Sequence, residues 1–380
     1  MEVWASGAGR SSEVVGVTGE QRRMHPLGEL LRMGRHVDVG PVEYQDLADS
    51  PSTTRRCVRF RLFLLVDGAR RLAVLVRNAD PHGPMQEAAM LEVIADDEAA
   101  GRQLLVDMRA LAVQHSVLRG QVLALGPGEG QRCGQLRFVT RPHMGRGQLV
   151  LPDETLARIE RHVIGIAEHS QRLRAAGQHL KRGVLLYGPP GTGKTHTVRY
   201  LLGRRPGTTV FLLSGQALGL ISHACTLARA FTPSMVVLED VDLIAGDRSL
   251  VAIGSNPLLF EVLNQIDGLS EDIDVTFLLT TNRVDILERA LAQRPGRVDT
   301  AVEIAVPDDD GRARLLRLYG GRVGLDKLTG TELAEAVEAT AGTTATFLRE
   351  VVRRAALAVA ERGTGPISVD GPTLGQPHVN

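Results

Sequence analysis

The chain has 380 residues, too many for one ordinary domain and enough for two or three. Hydrophobic residues make up 43% and charged residues 23%, a globular composition that excludes an intrinsically disordered chain. Basic and acidic residues balance at 44 each, so no net charge draws the protein to nucleic acid or to an anionic membrane surface.

In chain order, residues 1–36 mix Gly, Ser, Arg and Glu without the apolar centre of a signal peptide and read as a loose tail. From 37 to 148 the pattern is that of a small α/β domain. Val58, Phe60 and Leu62 alternate, the chain turns near Asp67-Gly68, and Leu72, Val74 and Val76 return, which predicts a hairpin. The stretch from Met85 to Ser116 has helical composition, with a break expected near Ala95 or Gly101. "RGQVLALGPGEGQRCGQLRFVT" predicts two strands around a Gly/Pro-rich turn. A helix is expected from about Asp153, with Leu156, Ile159, Val163 and Ile166 on one face. "GVLLYG", "TVFLL", "SMVVLED", "VTFLLTTN" and "TAVEIAV" are then five short apolar runs, as expected of a parallel five-stranded sheet covered on both faces. Past residue 307 only helices are evident, over Arg312–Tyr319, Glu332–Ala339 and Thr346–Arg362, and residues 364–380 read as a second loose tail. Cys57, Cys133 and Cys225 have neither CxxC spacing nor other metal-ligand spacing, and the His223–Cys225 pair is expected to pack rather than to ligate. No apolar run reaches the ~18 residues of a membrane span, so a cytoplasmic protein is expected.

"GVLLYGPPGTGKTHT" places Gly188, Gly193, Lys194 and Thr195 in the Walker A spacing, between an apolar strand and a helix. Glycines there let the backbone N–H groups converge on an anion at a helix N-terminus. The nucleotide-binding residues are therefore Gly188, Pro189, Pro190, Gly191, Thr192, Gly193, Lys194, Thr195 and His196, with Lys194 on the β- and γ-phosphates and Thr195 on Mg²⁺. "MVVLEDVDLI" ends an apolar run on Glu239, Asp240 and Asp242, carboxylates placed to serve a metal or to steer a water.

With these motifs the sequence resembles AAA ATPases of the AAA+ superfamily. "LKRGVLLYGPPGTGKT" is similar to the segment that opens their nucleotide site, "TTNRVDILERALAQRPGRVD" to their second region of homology, and "GTTATFLREVVRRAA" to a helix of their small lid domain. The resemblance covers about Leu151 to Gly363 and implies a P-loop NTPase core over 149–306, a helical lid over 307–363, and ATP and Mg²⁺ as ligands. It implies that Asn282 sits beside the γ-phosphate and places the attacking water, and that Arg294 and Arg297 act in trans on a neighbouring subunit, which in turn implies a ring, a homohexamer in this family.

Two departures mark this chain. The family usually has Asp then Glu where Glu239 and Asp240 stand here. Exchanging them shifts reach by one methylene, about 1.5 Å; Glu239 is expected to serve Mg²⁺, together with Thr195, and Asp240 to polarise the attacking water, with Asp242 or Asn282 sharing the work. An aromatic pore loop is also missing: the comparable place holds Leu218-Gly219-Leu220. The leading expectation is an ATP hydrolase that remodels a protein client selected by the domain over 37–148. A slow-turnover, nucleotide-dependent ring switch or scaffold is the alternative. A nucleic-acid remodeller is the third reading, and the balanced charge disfavours it.

Overall fold

The computed structural model describes residues 2–5, 7, 9–19, 25–32, 38–78, 89–126, 135–242, 264–265, 268, 273–283, 299–321 and 328–362. The chain divides into two compact units, Met1–Arg119 and Gly120–Asn380. None of the described helices is long and apolar enough to cross a membrane.

Among the described residues, the first unit is an antiparallel sheet carrying three helices, α1 (Glu2–Ala5), α2 (Leu27–Arg32) and α3 (Glu98–Gln114). Strands β1 (Arg10–Thr18), β2 (Asp38–Gly40), β3 (Glu43–Ala48), β4 (Thr54–Asp67), β5 (Arg70–Arg77) and β6 (Met90–Ala95) run in the order β2-β1-β4-β5-β6, with β3 also on β4. The expected β4–β5 hairpin is present, and its register pairs Asp67 with Arg70 across a two-residue turn. Side chains alternate between faces along a strand. Phe63, Leu65, Leu72 and Val74 bury one face under Trp4, Ala100, Leu104 and Met108. Phe60 and Leu75 point the other way, under Val17, Leu27 and Leu30.

Two expectations fail in this unit. The described residues of the stretch 1–36 are not a tail, since α1, β1 and α2 belong to the fold: Trp4, Val17, Leu27 and Leu30 are all buried, and β1 pairs along β4. The polar run "RSSE" hides the strand, because its outer half is solvated on both faces. Met90–Ala95 is a strand rather than helix, because its pairing with β5 puts Leu91 and Val93 against the core, and long-range pairing overrides local propensity. The helix begins only at Glu98, capped by the Asp97 side chain on the Ala99 N–H.

The second unit is built on a seven-stranded sheet. Its strands are β7 (Val122–Gly126), β8 (Gln135–Val139), β9 (Arg182–Tyr187), β10 (Thr209–Ser214), β11 (Ser234–Glu239), β12 (Val275–Thr281) and β13 (Thr300–Glu303), in the order β13-β9-β12-β11-β10-β7-β8. All neighbours from β13 to β7 are parallel, and β8 returns antiparallel on β7. The five expected runs are β9 to β13. The hairpin β7–β8 enlarges this sheet instead of belonging to an N-terminal domain, so the boundary expected at 148 lies at Arg119/Gly120. The physical cause is backbone pairing: Val122, Leu123 and Ala124 continue the ladder beyond β10.

Helix α4 (Asp153–Glu160) continues through one π turn, Arg161–Gly165, into α5 (Ile166–Glu168), and α6 (Ser170–Ala175) follows. Leu156, Ile159 and Val163 are buried as their spacing predicts. The π turn carries one extra residue, so Ile164 is buried as well and Ile166 is only half-buried. Helix α7 (Lys194–Gly203) leaves the phosphate loop, and a 3₁₀ turn, Gly215–Leu220, precedes α8 (Ile221–Ala230). Leu218 in that turn is fully buried, so it is a core residue and no pore-loop side chain. Helices α9 (Asp309–Gly320), α10 (Gly330–Ala339) and α11 (Ala345–Arg362) close on Leu315, Leu316, Leu333, Val337, Leu348 and Val352.

Arg141 ties the added hairpin to the end of α7. Its Nη1 donates to the Leu202 and Arg205 carbonyls (2.8 and 3.1 Å), and its Nη2 to those of Gly120 and Thr208 (2.8 and 2.7 Å). Burial pushes its pKa down, and the carbonyls at a helix C-terminus favour the cation. Arg141→Met strands these acceptors and is expected to cost about 2–4 kcal/mol. Arg141→Lys, with three donors in place of five, should recover part of the loss; urea unfolding of the full chain measures both.

Candidate active site

The site lies where β9, β11 and β12 end side by side at their C-terminal edges, the usual location of a ligand in an open α/β sheet. Strand β9 is buried along nearly its whole length, and the chain leaves it at Gly188 with φ of 144°. A Cβ at Gly188 would stand 2.3 Å from the Ile304 carbonyl oxygen, so only glycine fits there. Gly193, with φ of 115°, is the N-cap of α7, and nothing lies within 4 Å of where its Cβ would point. The loop therefore arrives at a helix N-terminus whose first N–H groups lack intrahelical acceptors, which suits an anion.

Lys194 is buried, and its Nζ donates to the Gly188 and Pro189 carbonyls at 2.7 and 2.8 Å. Burial pushes its pKa down, while the carboxylates of Asp240 and Asp242 push it up. Thr192 ties the loop to itself by donating to the Pro189 carbonyl at 2.9 Å. Pro189 and Pro190 are exposed, and Thr195 sits on the open side of α7.

Glu239 ends β11 with the Thr195 hydroxyl beside it. Burial raises its pKa, Asp240 raises it further, and the Thr195 hydroxyl opposes both. Those two oxygen groups meet at the mouth of the phosphate loop, and their hard-donor chemistry suits Mg²⁺. Asp240 has φ of 51°, the one non-glycine residue with positive φ among the described residues. Aspartate tolerates this region better than most residues. The turned backbone is held from β12: the Asp240 N–H donates to Thr280 Oγ1 at 2.9 Å, and the Val241 N–H to the Thr280 carbonyl at 3.0 Å. Asp242 then faces the end of β12, where Thr281 and Asn282 hydrogen-bond it.

The sequence-predicted residues Lys194, Thr195, Glu239, Asp240 and Asn282 thus converge. His196 points elsewhere, into a cavity of about 650 Å³ lined by Pro142, Met144, His196, Arg199, Tyr319 and Arg349. Burial, then Arg199 and Arg349, lower the His196 pKa. Arg294 and Arg297 lie outside the described residues. The sequence reading missed the contact of the helical cap with the loop: Thr346, at the start of α11, donates its N–H and hydroxyl to the Gly191 carbonyl at 3.1 and 3.2 Å. It also missed Thr280 and Thr281, buried at the end of β12. "TTN" after an apolar run was the available signal for the threonine pair.

A strand entering a glycine-shaped loop, a helix leaving it with a buried lysine, and carboxylates on the neighbouring strand together define a P-loop NTPase domain. Residues 184–306 match the family model "ATPase family associated with various cellular activities (AAA)". The chain is 30% identical over 192 residues to the 26S protease regulatory subunit 6A of Caenorhabditis elegans, covering 46% of this chain and 43% of that protein. It is 31% identical over 231 residues to the ATP-dependent zinc metalloprotease FtsH 2 of Symbiobacterium thermophilum, with 57% and 38% covered. To the proteasome-activating nucleotidase of Methanocaldococcus jannaschii it is 26% identical over 260 residues, with 65% and 58% covered. The chain thus spans 38% to 58% of the length of these relatives.

The two loop glycines separate steric from conformational demand. Gly193→Ala meets open space and should lose about 1–2 kcal/mol for its positive φ alone. Gly188→Ala must also displace β13's continuation at Ile304 and is expected to lower Tm by clearly more. Thermal unfolding of the two variants tests this order.

Proposed function

We propose that the chain binds ATP with Mg²⁺ at this site, hydrolyses it, and uses the cycle to remodel a protein client as part of a ring. The single observation that carries the hydrolase reading is the convergence of Lys194, Thr195, Glu239, Asp240 and Asn282 on one strand edge beside a helix N-terminus. The triphosphate lies along residues 188–195, with backbone N–H groups and Lys194 facing its oxygens. Thr195 and Glu239 would hold Mg²⁺, which would supply positive charge opposite the β- and γ-phosphates. The adenosine occupies the cavity between α7 and the helical cap, whose wall includes His196 and Tyr319. Asp240 accepts a hydrogen from the attacking water. As the water oxygen bonds to the γ-phosphorus, the bond from phosphorus to the β–γ bridging oxygen breaks, leaving ADP and phosphate, and the water's proton passes to Asp240.

The relatives' names, which include proteasome regulatory subunits and an ATP-dependent protease, support a protein as client over nucleic acid. A homohexamer, a cytoplasmic location, and Arg294 and Arg297 acting on a neighbour's nucleotide belong to the same proposal. So does client selection by the first unit. The second reading, a slow switch that assembles with ATP, is favoured by one observation: Asp240 is a short carboxylate on a positive-φ backbone, and a misplacement of ~1 Å costs ~10²-fold in rate.

Lys194→Ala should abolish binding of a fluorescent ATP analogue. Asp240→Asn should keep that binding and lose about 10²-fold in turnover. Glu239→Gln should raise the Mg²⁺ concentration needed for half-maximal rate. Normal turnover by Asp240→Asn refutes the assignment. Size measurement with and without ATP tests the ring, and proteins retained by Asp240→Asn in ATP identify the client. ATP-dependent assembly without client-stimulated turnover favours the switch.

A further inference from the structure

The third carboxylate of the cluster, Asp242, has no role in the scheme above. It is half-buried and holds the end of β12 through both oxygens. Its Oδ1 accepts from Thr281 Oγ1 at 2.9 Å and from the Asn282 backbone N–H at 3.1 Å, and its Oδ2 lies 3.4 Å from Asn282 Nδ2. The threonine Oγ1 accepts from the Arg283 N–H at 3.0 Å, and of the two acceptors in reach of its one proton, Asp242 Oδ1 at 2.9 Å and the Arg283 carbonyl at 3.4 Å, the carboxylate is the nearer. Burial alone would raise the Asp242 pKa, but these bonds from Asn282 and Thr281 together carry it below the usual carboxylate range. Asp242 is therefore an anion that can only accept.

That settles a choice which heavy-atom positions leave open, the direction of the Asn282 amide. An amide oxygen turned toward Asp242 would set acceptor against acceptor, so the NH₂ group faces the carboxylate. The carbonyl oxygen, Oδ1, is left for the catalytic edge. We propose that Asp242 is a positioning residue that locks the Asn282 amide so that it presents an acceptor, not a donor, to the attacking water. Asp240 and Asn282 Oδ1 then take one hydrogen each from that water, and its lone pair is left to face the γ-phosphorus. This rests on the hydrolase reading above and adds what aims Asn282 in it. It also gives the Glu–Asp order a physical complement, since a short, turned Asp240 shares the water with a second, rigidly aimed acceptor.

The test is a double-mutant cycle in the full-length chain, with Asp242→Asn and Asn282→Ala alone and combined. Turnover at saturating ATP, affinity for a fluorescent ATP analogue and Tm are measured for each. An asparagine at 242 can donate or accept, so it no longer dictates which way Asn282 turns. Asp242→Asn should lower kcat about 10-fold and leave ATP affinity within about twofold. In the Asn282→Ala background the same change should have no further effect on kcat, because there is no amide to aim. Thr281→Val, which removes one anchor of Asp242 at nearly constant volume, should lower kcat severalfold in the parent and not in Asn282→Ala. It supplies the test should Asp242→Asn fail to fold. A full multiplicative loss in the Asn282→Ala background, or unchanged kcat in both single variants, overturns the proposal. Lys194→Ala separates the two levels. Turnover that survives Lys194→Ala removes the hydrolase reading and this role with it, whereas Lys194-dependent turnover with multiplicative losses removes this role alone.

Discussion

The parallel pairing of β11 with β12 is the constraint on which the site depends. Its register, Leu238 opposite Leu279, ends the two strands level with each other. The acidic turn after Glu239 therefore meets the "TTN" turn after Thr280 at hydrogen-bond distance. The turn and the end of β12 hold each other: Thr280 receives the backbone of Asp240 and Val241, and Asp242 receives Thr281 and Asn282. A shift of one residue in that register would turn every side chain to the other face and dissolve the cluster. Strand β9, paired on the far side of β12, brings the phosphate loop to the same edge.

Around this edge the fold supplies support from two directions. On one side α11 reaches the loop through Thr346 and Gly191, so the helical cap and the phosphate loop share a hydrogen-bonded contact. On the other, the β7–β8 hairpin broadens the sheet, and Arg141 grips the carbonyls where α7 ends. The helix that starts at the phosphate loop is thus fixed at both ends. Glu160 adds a third hold, accepting from the buried Tyr200 hydroxyl of α7 and from Arg146. Rigid support of this kind keeps a site within the small tolerances that catalysis demands.

Much of this was legible in the chain. The phosphate loop was legible because its residues are contiguous and their chemistry is local: glycines for the turn, a lysine, a hydroxyl. The apolar runs of β9 to β13 were legible because strands buried on both faces need no alternation to be recognised. The register of α4 was legible up to Val163 and failed at the π turn, where one inserted residue breaks the 3.6-residue repeat. Residues 10–18 and 90–95 were not legible as strands, because their pattern only makes sense once β4 and β5 lie beside them.

By itself, then, the sequence determined the class of site, the strands that carry it and the identity of the groups available, since each of these depends on neighbours a few residues apart. Only the tertiary structure decided that β7 and β8 extend the parallel sheet of the second unit, that Leu218 is core, and that α11 rests on Gly191. It also decided the division of labour among the three carboxylates. Their order along the chain distinguishes them by side-chain length alone. Which one meets Thr195 and which one meets Asn282 follows from a backbone turn at Asp240 that β12, forty residues away in the chain, holds in place by hydrogen bonds.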